Sequence, residues 1–303
     1  MYSVPDQSGT TFIVTGANSG TGKEATKRLA AAGAKVIMAV RTPSKGEDAK
    51  REILGVVPDA QLEVRRVDLA ELASIRDFAK GIIDDGVKVD VLVNNAGVMV
   101  PPKRVTTADG FELQFGSNFL GPFALTMLLL PRILESDAPR VATMSSGVAN
   151  FGRIRFDDPN WLQGYRSGRA YAQSKLADML FAERLATVSG DRGWGLRSTI
   201  AHPGFTRTNL QTAGRNLDRP GNELPPIKST FPLPSQGVEQ GAEPLLFAAA
   251  DPSAEQGAYY GPNRLALVGP TKRVNLPRSA RRAGVPERLW SLAEQLTDTS
   301  LPG

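Results

Sequence analysis

Apolar runs and helical stretches alternate from the N-terminus onward. "TTFIVT" (10–15) is short, apolar and β-branched, and predicts a strand. "GKEATKRLAAAG" (22–33) follows with helix formers and closes on a glycine, as helices commonly do. "AKVIMAV" (34–40) predicts a second strand, and the alternation continues through "QLEVRRV" (61–67), "VKVDVLVNN" (87–95), "PRVATMS" (139–145) and "GLRSTIAH" (195–202). Strands that are apolar on both faces and separated by helices imply a parallel sheet covered on both sides. Right-handed crossovers then give an α/β fold with a doubly wound parallel sheet in three α/β/α layers.

The C-terminal third breaks this rhythm, because 13 of the 22 prolines lie after residue 202. The segment 209–236, "NLQTAGRNLDRPGNELPPIKSTFPLPSQ", cannot be regular throughout. A loop of that length in a compact domain is expected to be functional, and ligands of open α/β sheets bind beyond the carboxyl ends of the strands. It is therefore read as a substrate lid within one domain spanning residues 1–303, with Leu210, Leu217, Phe231 and Leu233 as its apolar contacts.

Composition removes several chemistries. The chain has no cysteine and one histidine, His202, so neither disulfides nor a His/Cys metal site is expected. No partner for His202 as a base is evident, and it is read as structural. The N-terminus "MYSVPDQSGT" is polar and reads as neither signal peptide nor anchor. The most apolar stretch (119–134) is too short to span a bilayer and contains two prolines and an arginine; it predicts a buried or interface helix. A net charge of +5 raises the question of nucleic acid, but no recognition motif accompanies it. Attraction of an anionic small molecule fits better. A cytoplasmic location is the expectation.

Two short motifs carry the candidate chemistry. "TGANSGTG" (15–22) sits between the first strand and the first helix, where glycines let the backbone approach a pyrophosphate and the helix N-terminus offers free N–H groups. "YAQSK" (171–175) places Tyr171 and Lys175 four apart, on one helix face. An ammonium beside a phenol favours the phenolate and lowers its pKa, which would make Tyr171 a usable acid and base. After the second strand comes Arg41, with Lys45 nearby and no acid, as a 2′-phosphate requires.

The spacing TGxxxGxG together with "YAQSK", "NNAG" (94–97), "MSSG" (144–147) and "HPG" (202–204) resembles the short-chain dehydrogenase/reductase family over nearly the whole chain. "TGANSGTGKE", "DLAELASIR" and "YAQSKLADMLFAERLA" are most similar to its retinol dehydrogenase and WW-domain oxidoreductase branch, with protochlorophyllide reductase more distant. The resemblance implies a Rossmann fold and NADP(H). It implies an oxidoreductase acting on a carbonyl or its alcohol, with a catalytic tetrad of Asn118, Ser146, Tyr171 and Lys175. Ser145 competes with Ser146, the second serine being the family's choice. Asn118 would hold a water that links Lys175 to solvent. Gly16, Asn18, Ser19, Gly20, Thr21, Gly22, Arg41, Asp68, Leu69, Asn95, Ala96, Gly97, Tyr171, Lys175, Pro203, Gly204, Thr206 and Thr208 would hold the cofactor. Asp68 would reach the adenine, and Thr208, with Thr206, the nicotinamide amide or the phosphates. Thr21 departs from the family, where an apolar residue is usual, and is expected to alter packing more than binding.

Two rival readings stand beside this one. A C=C reductase of the protochlorophyllide reductase type relies on a cysteine that is absent here, and a non-catalytic NADP-sensing regulator would have lost part of the tetrad. The expected partner is a small molecule, not a nucleic acid or a membrane. The long stretch between Ser146 and Tyr171 leans toward monomer or homodimer over tetramer.

Overall fold

The computed structural model describes residues 1–207 and 234–302. The predicted lid at 209–236 and the candidate residue Thr208 therefore fall outside the described residues, apart from the lid's last three positions. The elements follow in order: β1 (Thr11–Thr15), α1 (Gly20–Ala31), β2 (Lys35–Val40), α2 (Pro43–Leu54), β3 (Gln61–Arg66), α3 (Leu72–Asp84) and β4 (Val91–Asn94). Then come α4 (Leu113–Ile133), β5 (Arg140–Met144), α5 (Ser167–Arg192), β6 (Arg197–Ala201), α6 (Val238–Ala250), β7 (Tyr259–Arg264), β8 (Val268–Val274) and α7 (Val285–Thr297).

One eight-stranded sheet has the order β3-β2-β1-β4-β5-β6-β7-β8. Every neighbouring pair is parallel except β7 and β8. The doubly wound architecture inferred from the alternation is what the chain forms. The strands are apolar on both faces for the expected reason. Phe12 and Val14 point into one core with α1, α2 and α6, while Ile13 points into the other with α3, α4, α5 and α7. The antiparallel β8 was not foreseen. Its hairpin turns through Leu265 and Ala266, both with positive φ (53° and 57°), where glycine or asparagine would ordinarily signal the turn.

Helix α4 contains the stretch that raised the membrane question. It is the one described helix long and apolar enough to cross a bilayer, and 94% of its apolar window is buried inside the fold. It is a core helix. Its first half widens into a π-turn over Gly116–Leu120. Pro122 lacks the N–H that would close an ordinary turn onto Asn118, and the Gly121 N–H reaches back to the Gly116 carbonyl instead.

Helix α7 closes the same face. Trp290 stands edge-on to Phe123 of α4 at 5.1 Å and lies 5.8 Å from Phe181 of α5. It is 7% exposed. Aromatic clusters of this geometry contribute beyond their buried area. Trp290→Ala is expected to lower stability by about 3–5 kcal/mol. Urea unfolding of both proteins measures it, and a loss below about 1 kcal/mol would mean that α7 is not an integral part of the core.

Candidate active site

The crevice begins where the winding reverses. β1 neighbours both β2 and β4, and the connections leaving these strands pass to opposite faces of the sheet. The gap at their carboxyl ends is the place where such sheets bind ligands. Here it is a cleft of about 340 Å³.

Backbone and short polar side chains build its floor. Gly16 turns the chain out of β1 at φ +67°, a conformation that L side chains rarely adopt. Gly22 needs the space: a Cβ there would stand 2.4 Å from both Asn95 Nδ2 and the Gly16 carbonyl oxygen. Asn95 Nδ2 donates to the Thr15 carbonyl at 2.8 Å, and the N–H groups of Asn95 and Ala96 both donate to Thr15 Oγ1. Thr21 Oγ1 donates to Asn95 Oδ1 at 2.9 Å, so this departure from the family ties the glycine turn to the residue that follows β4. The Ser19 hydroxyl makes no capping bond at the start of α1 and remains available to a ligand.

Of the predicted cofactor residues, Gly16, Asn18, Ser19, Gly20, Thr21, Arg41, Asp68, Leu69, Asn95, Ala96 and Gly97 line the cleft. Gly22 packs beneath it. Tyr171, Lys175, Pro203, Gly204 and Thr206 are not among the residues that line it; the Thr206 hydroxyl donates to the Pro203 carbonyl, and Gly241 leaves just enough room for its side chain. Asp68 serves two purposes. One carboxylate oxygen accepts from the Ala70 N–H at 2.9 Å, closing a turn, and the residue still faces the cleft. Arg41 and Lys45 are exposed in the cleft lining, and neither is ion-paired among the described residues. Ser117 was not anticipated. It lines the cleft with a buried hydroxyl that lacks a partner among the described residues. Its position beside Asn118 was the only clue.

These features fit a nucleotide cofactor. There is a glycine cradle with no room for side chains, a helix N-terminus, free hydroxyls at Ser19 and Ser117, and two cations in the lining.

The four candidate catalytic residues meet beside Gly97, next to the cleft but outside its lining. A Cβ at Gly97 would stand 3.2 Å from Asn118 Oδ1 and 3.6 Å from Lys175 Nζ. Asn118 commits its whole amide: Oδ1 accepts from the Val98 N–H at 2.7 Å, and Nδ2 donates to the Val98 carbonyl and to Ser174 Oγ. It locks the β4 loop to α5. Asn118 also sits in the π-turn that precedes Pro122. The structure separates the two serines. Ser145 is buried, and its hydroxyl donates to the Lys175 carbonyl at 2.7 Å. Ser146 is half-buried; its Oγ accepts from the Val148 N–H at 3.4 Å, and its side chain hydrogen-bonds the Tyr171 phenol.

Burial pushes the Tyr171 phenol above its usual range. Lys175 lowers it, as an ammonium beside a phenol should, and so does Ser146, while Asp178 adds to the upward push. Burial prevails, because a buried phenol loses more hydration as an anion than one ammonium restores. Lys175 keeps its proton against burial because Asp178, and secondarily Tyr171, attract it. His202 is buried against Tyr259, its Nδ1 accepts from the Gly204 N–H, and burial drops its pKa to about 4. It is a neutral structural residue.

Residues 10–217 match the family model for short chain dehydrogenase. The chain belongs to the short-chain dehydrogenase family. Human retinol dehydrogenase 13 is 39% identical over 301 residues, covering 97% of this chain and 86% of its own length. A solved structure of an uncharacterised protein from Mycobacterium paratuberculosis is 41% identical, with a TM-score of 0.81, covering 99% of this chain and 97% of that one. A short chain dehydrogenase from Shigella flexneri, solved with NADP, is 26% identical at a TM-score of 0.61, covering 86% and 98%. This short-chain dehydrogenase is an oxidoreductase of the retinol dehydrogenase branch.

Tyr171→Phe is expected to leave NADPH binding within about threefold and to lower turnover by roughly 10²-fold or more. Fluorescence titration and single-turnover rates measure the two. A mutant retaining more than about a tenth of wild-type turnover would remove Tyr171 as the proton donor.

Proposed function

We propose that this short-chain dehydrogenase uses NADP(H) to interconvert an aldehyde or ketone with the corresponding alcohol, on a substrate with a sizeable apolar part. The supporting observation is the meeting of a buried, protonated Tyr171 with a buried Lys175 and the Ser146 side chain, beside Gly97 of the cleft. When bound, NADPH supplies the hydride that the carbonyl carbon accepts. The substrate oxygen gains negative charge in that step. Tyr171, protonated at neutral pH, donates a proton to it, and the Ser146 hydroxyl orients it. Lys175 stabilises the phenolate left behind. Asn118 holds the loop beside Gly97 in register with α5.

The preference for the phosphorylated cofactor rests on Arg41 and Lys45. Val40 holds the place where an acid would select the free ribose, and it is buried in the core beside Val64, through the space left at Gly46. The NADP bound to the Shigella flexneri relative supports the same reading. Arg41→Ala should lower kcat/KM for NADPH by about tenfold, the value of one charge-assisted hydrogen bond, and leave the NADH value nearly unchanged. Equal losses with both cofactors would reject the role of Arg41.

The apolar character of the substrate rests on the segment 209–236 and on the relatives named retinol dehydrogenases. The described end of that segment returns to its start, because the Gln236 N–H donates to the Phe205 carbonyl and the Arg207 N–H to the Gln236 carbonyl. A panel of aldehydes, ketones and alcohols that includes retinol tests the class. Phe231→Ala with Leu233→Ala should cost large substrates about 1–3 kcal/mol per lost contact and small aldehydes little. Equal losses across sizes would reject the lid.

A further inference from the structure

Asp178 lies one turn beyond Lys175 on α5, outside the four-residue site. Its Oδ2 accepts from Lys175 Nζ at 2.8 Å, and the two side chains are 2% and 4% exposed. Its Oδ1 is buried without a hydrogen-bond partner among the described residues. A buried ion pair with one oxygen unsatisfied is a poor device for stability, since hydrophobic replacements of such pairs are often neutral or stabilising. The pair is also placed with care. Lys175 has three N–H donors. One goes to Asp178 and one to the Met144 carbonyl at 3.0 Å. The third is left for the side facing Gly97 and the cleft.

We propose that Asp178 is a positioning residue that keeps the Tyr171–Lys175 pair electrically neutral at rest, and so sets both the pH at which the pair gives up a proton and the site's tolerance of the cationic nicotinamide ring. This rests on Tyr171 being the proton donor. Charge counting carries the argument. With Asp178 ionised, an ammonium and a phenol make a site of net charge zero. Removing the phenol's proton leaves −1 in a dry site. Without the carboxylate the resting site is +1, and losing one proton neutralises it. The first proton therefore leaves at lower pH when Asp178 is absent, whichever of the two coupled groups releases it. The oxidised nicotinamide ring obeys the same count: it meets a neutral site in the wild type and a cationic one without Asp178.

Among the described residues no other charged side chain acts on this group. Tyr171 feels Lys175 and Asp178, Lys175 feels Asp178 and Tyr171, and Asp178 feels Lys175. β5 contributes the Met144 carbonyl, and the π-turn of α4 contributes the neutral amide of Asn118. Burial pushes the Asp178 carboxyl up to about 7 against the pull of Lys175. Its negative charge is thus present above that pH and lost as the pH falls through it. The wild-type enzyme should come to resemble the neutral variant on the acid side.

The test uses Asp178→Asn, with Asp178→Ser as a second uncharged variant in case the first does not fold, and thermal melts to select folded samples. Two readings are taken. The apparent pKa in the pH profile of alcohol oxidation, with the panel alcohol turned over fastest, should fall by about 1 unit or more. The ratio of dissociation constants for NADP+ and NADPH, measured without turnover, should rise about tenfold, because only the oxidised ring is cationic. A side chain that merely fills space would change stability and move neither reading. An unchanged profile together with an unchanged ratio in a folded variant overturns the proposal. Full turnover by Tyr171→Phe would overturn the underlying site reading instead, and the binding ratio would still report on Asp178.

Discussion

The gap between β1 and β4 is the constraint on which the rest of the site depends. Two parallel strands must lie side by side while their onward connections leave on opposite faces, so the chain has to open there without exposing unpaired backbone. Asn95 and Thr15 provide the solution. Two N–H groups converge on the Thr15 hydroxyl, and the Asn95 amide bridges the Thr15 carbonyl and the Thr21 hydroxyl. The crevice is held open by satisfied polar groups. Gly16 and Gly22 are glycines because any side chain would occupy the space that this clamp requires.

The clamp continues into the chemistry. Gly97 follows it in the chain, where any side chain would run into Asn118 and Lys175, and Asn118 reaches back to both polar groups of the Val98 backbone. Through Ser174 the same amide is fixed to α5, the helix that carries Tyr171 and Lys175. Cofactor cleft and proton donor are joined by a short run of direct hydrogen bonds, which is how a site acquires rigidity from the scaffold that supports it. The buried lysine adds a second demand. An ammonium so deep must have counter-charge, and Asp178 supplies it at the expense of raising the phenol it accompanies.

Much of this was legible in the chain. Six strands, their parallel order and the glycine turn follow from apolar runs and short motifs, because those signals are local. Tyr171 and Lys175 were legible through helical spacing, and Ser146 through its place at a strand end. Other features were hidden for physical reasons. β8 carries no apolar run, and its hairpin turns on Leu265 and Ala266 in place of turn-forming residues. Asp178 sat at an i,i+3 distance from Lys175, a spacing that on most helices describes a solvated surface pair. Only its burial makes it significant. Pro203, Gly204 and Thr206 carry a recognisable motif, yet they are not among the residues lining the cleft: the Gly204 N–H goes to His202 Nδ1, and the Pro203 carbonyl accepts from Thr206 and Gln236.

The sequence by itself determined six of the eight strands, the family and the identity of the groups that can do chemistry. Hydrophobic period and the steric needs of glycine and proline act over a few residues, and they can be read without knowing what lies opposite. The tertiary structure alone decided the state of those groups. It spent Ser145 on the Lys175 carbonyl, set Ser146 against the Tyr171 phenol, and set burial against charge at Tyr171 with burial prevailing. Solvation and Coulomb energies depend on distances between residues that are far apart in the chain, and only the folded arrangement specifies those distances.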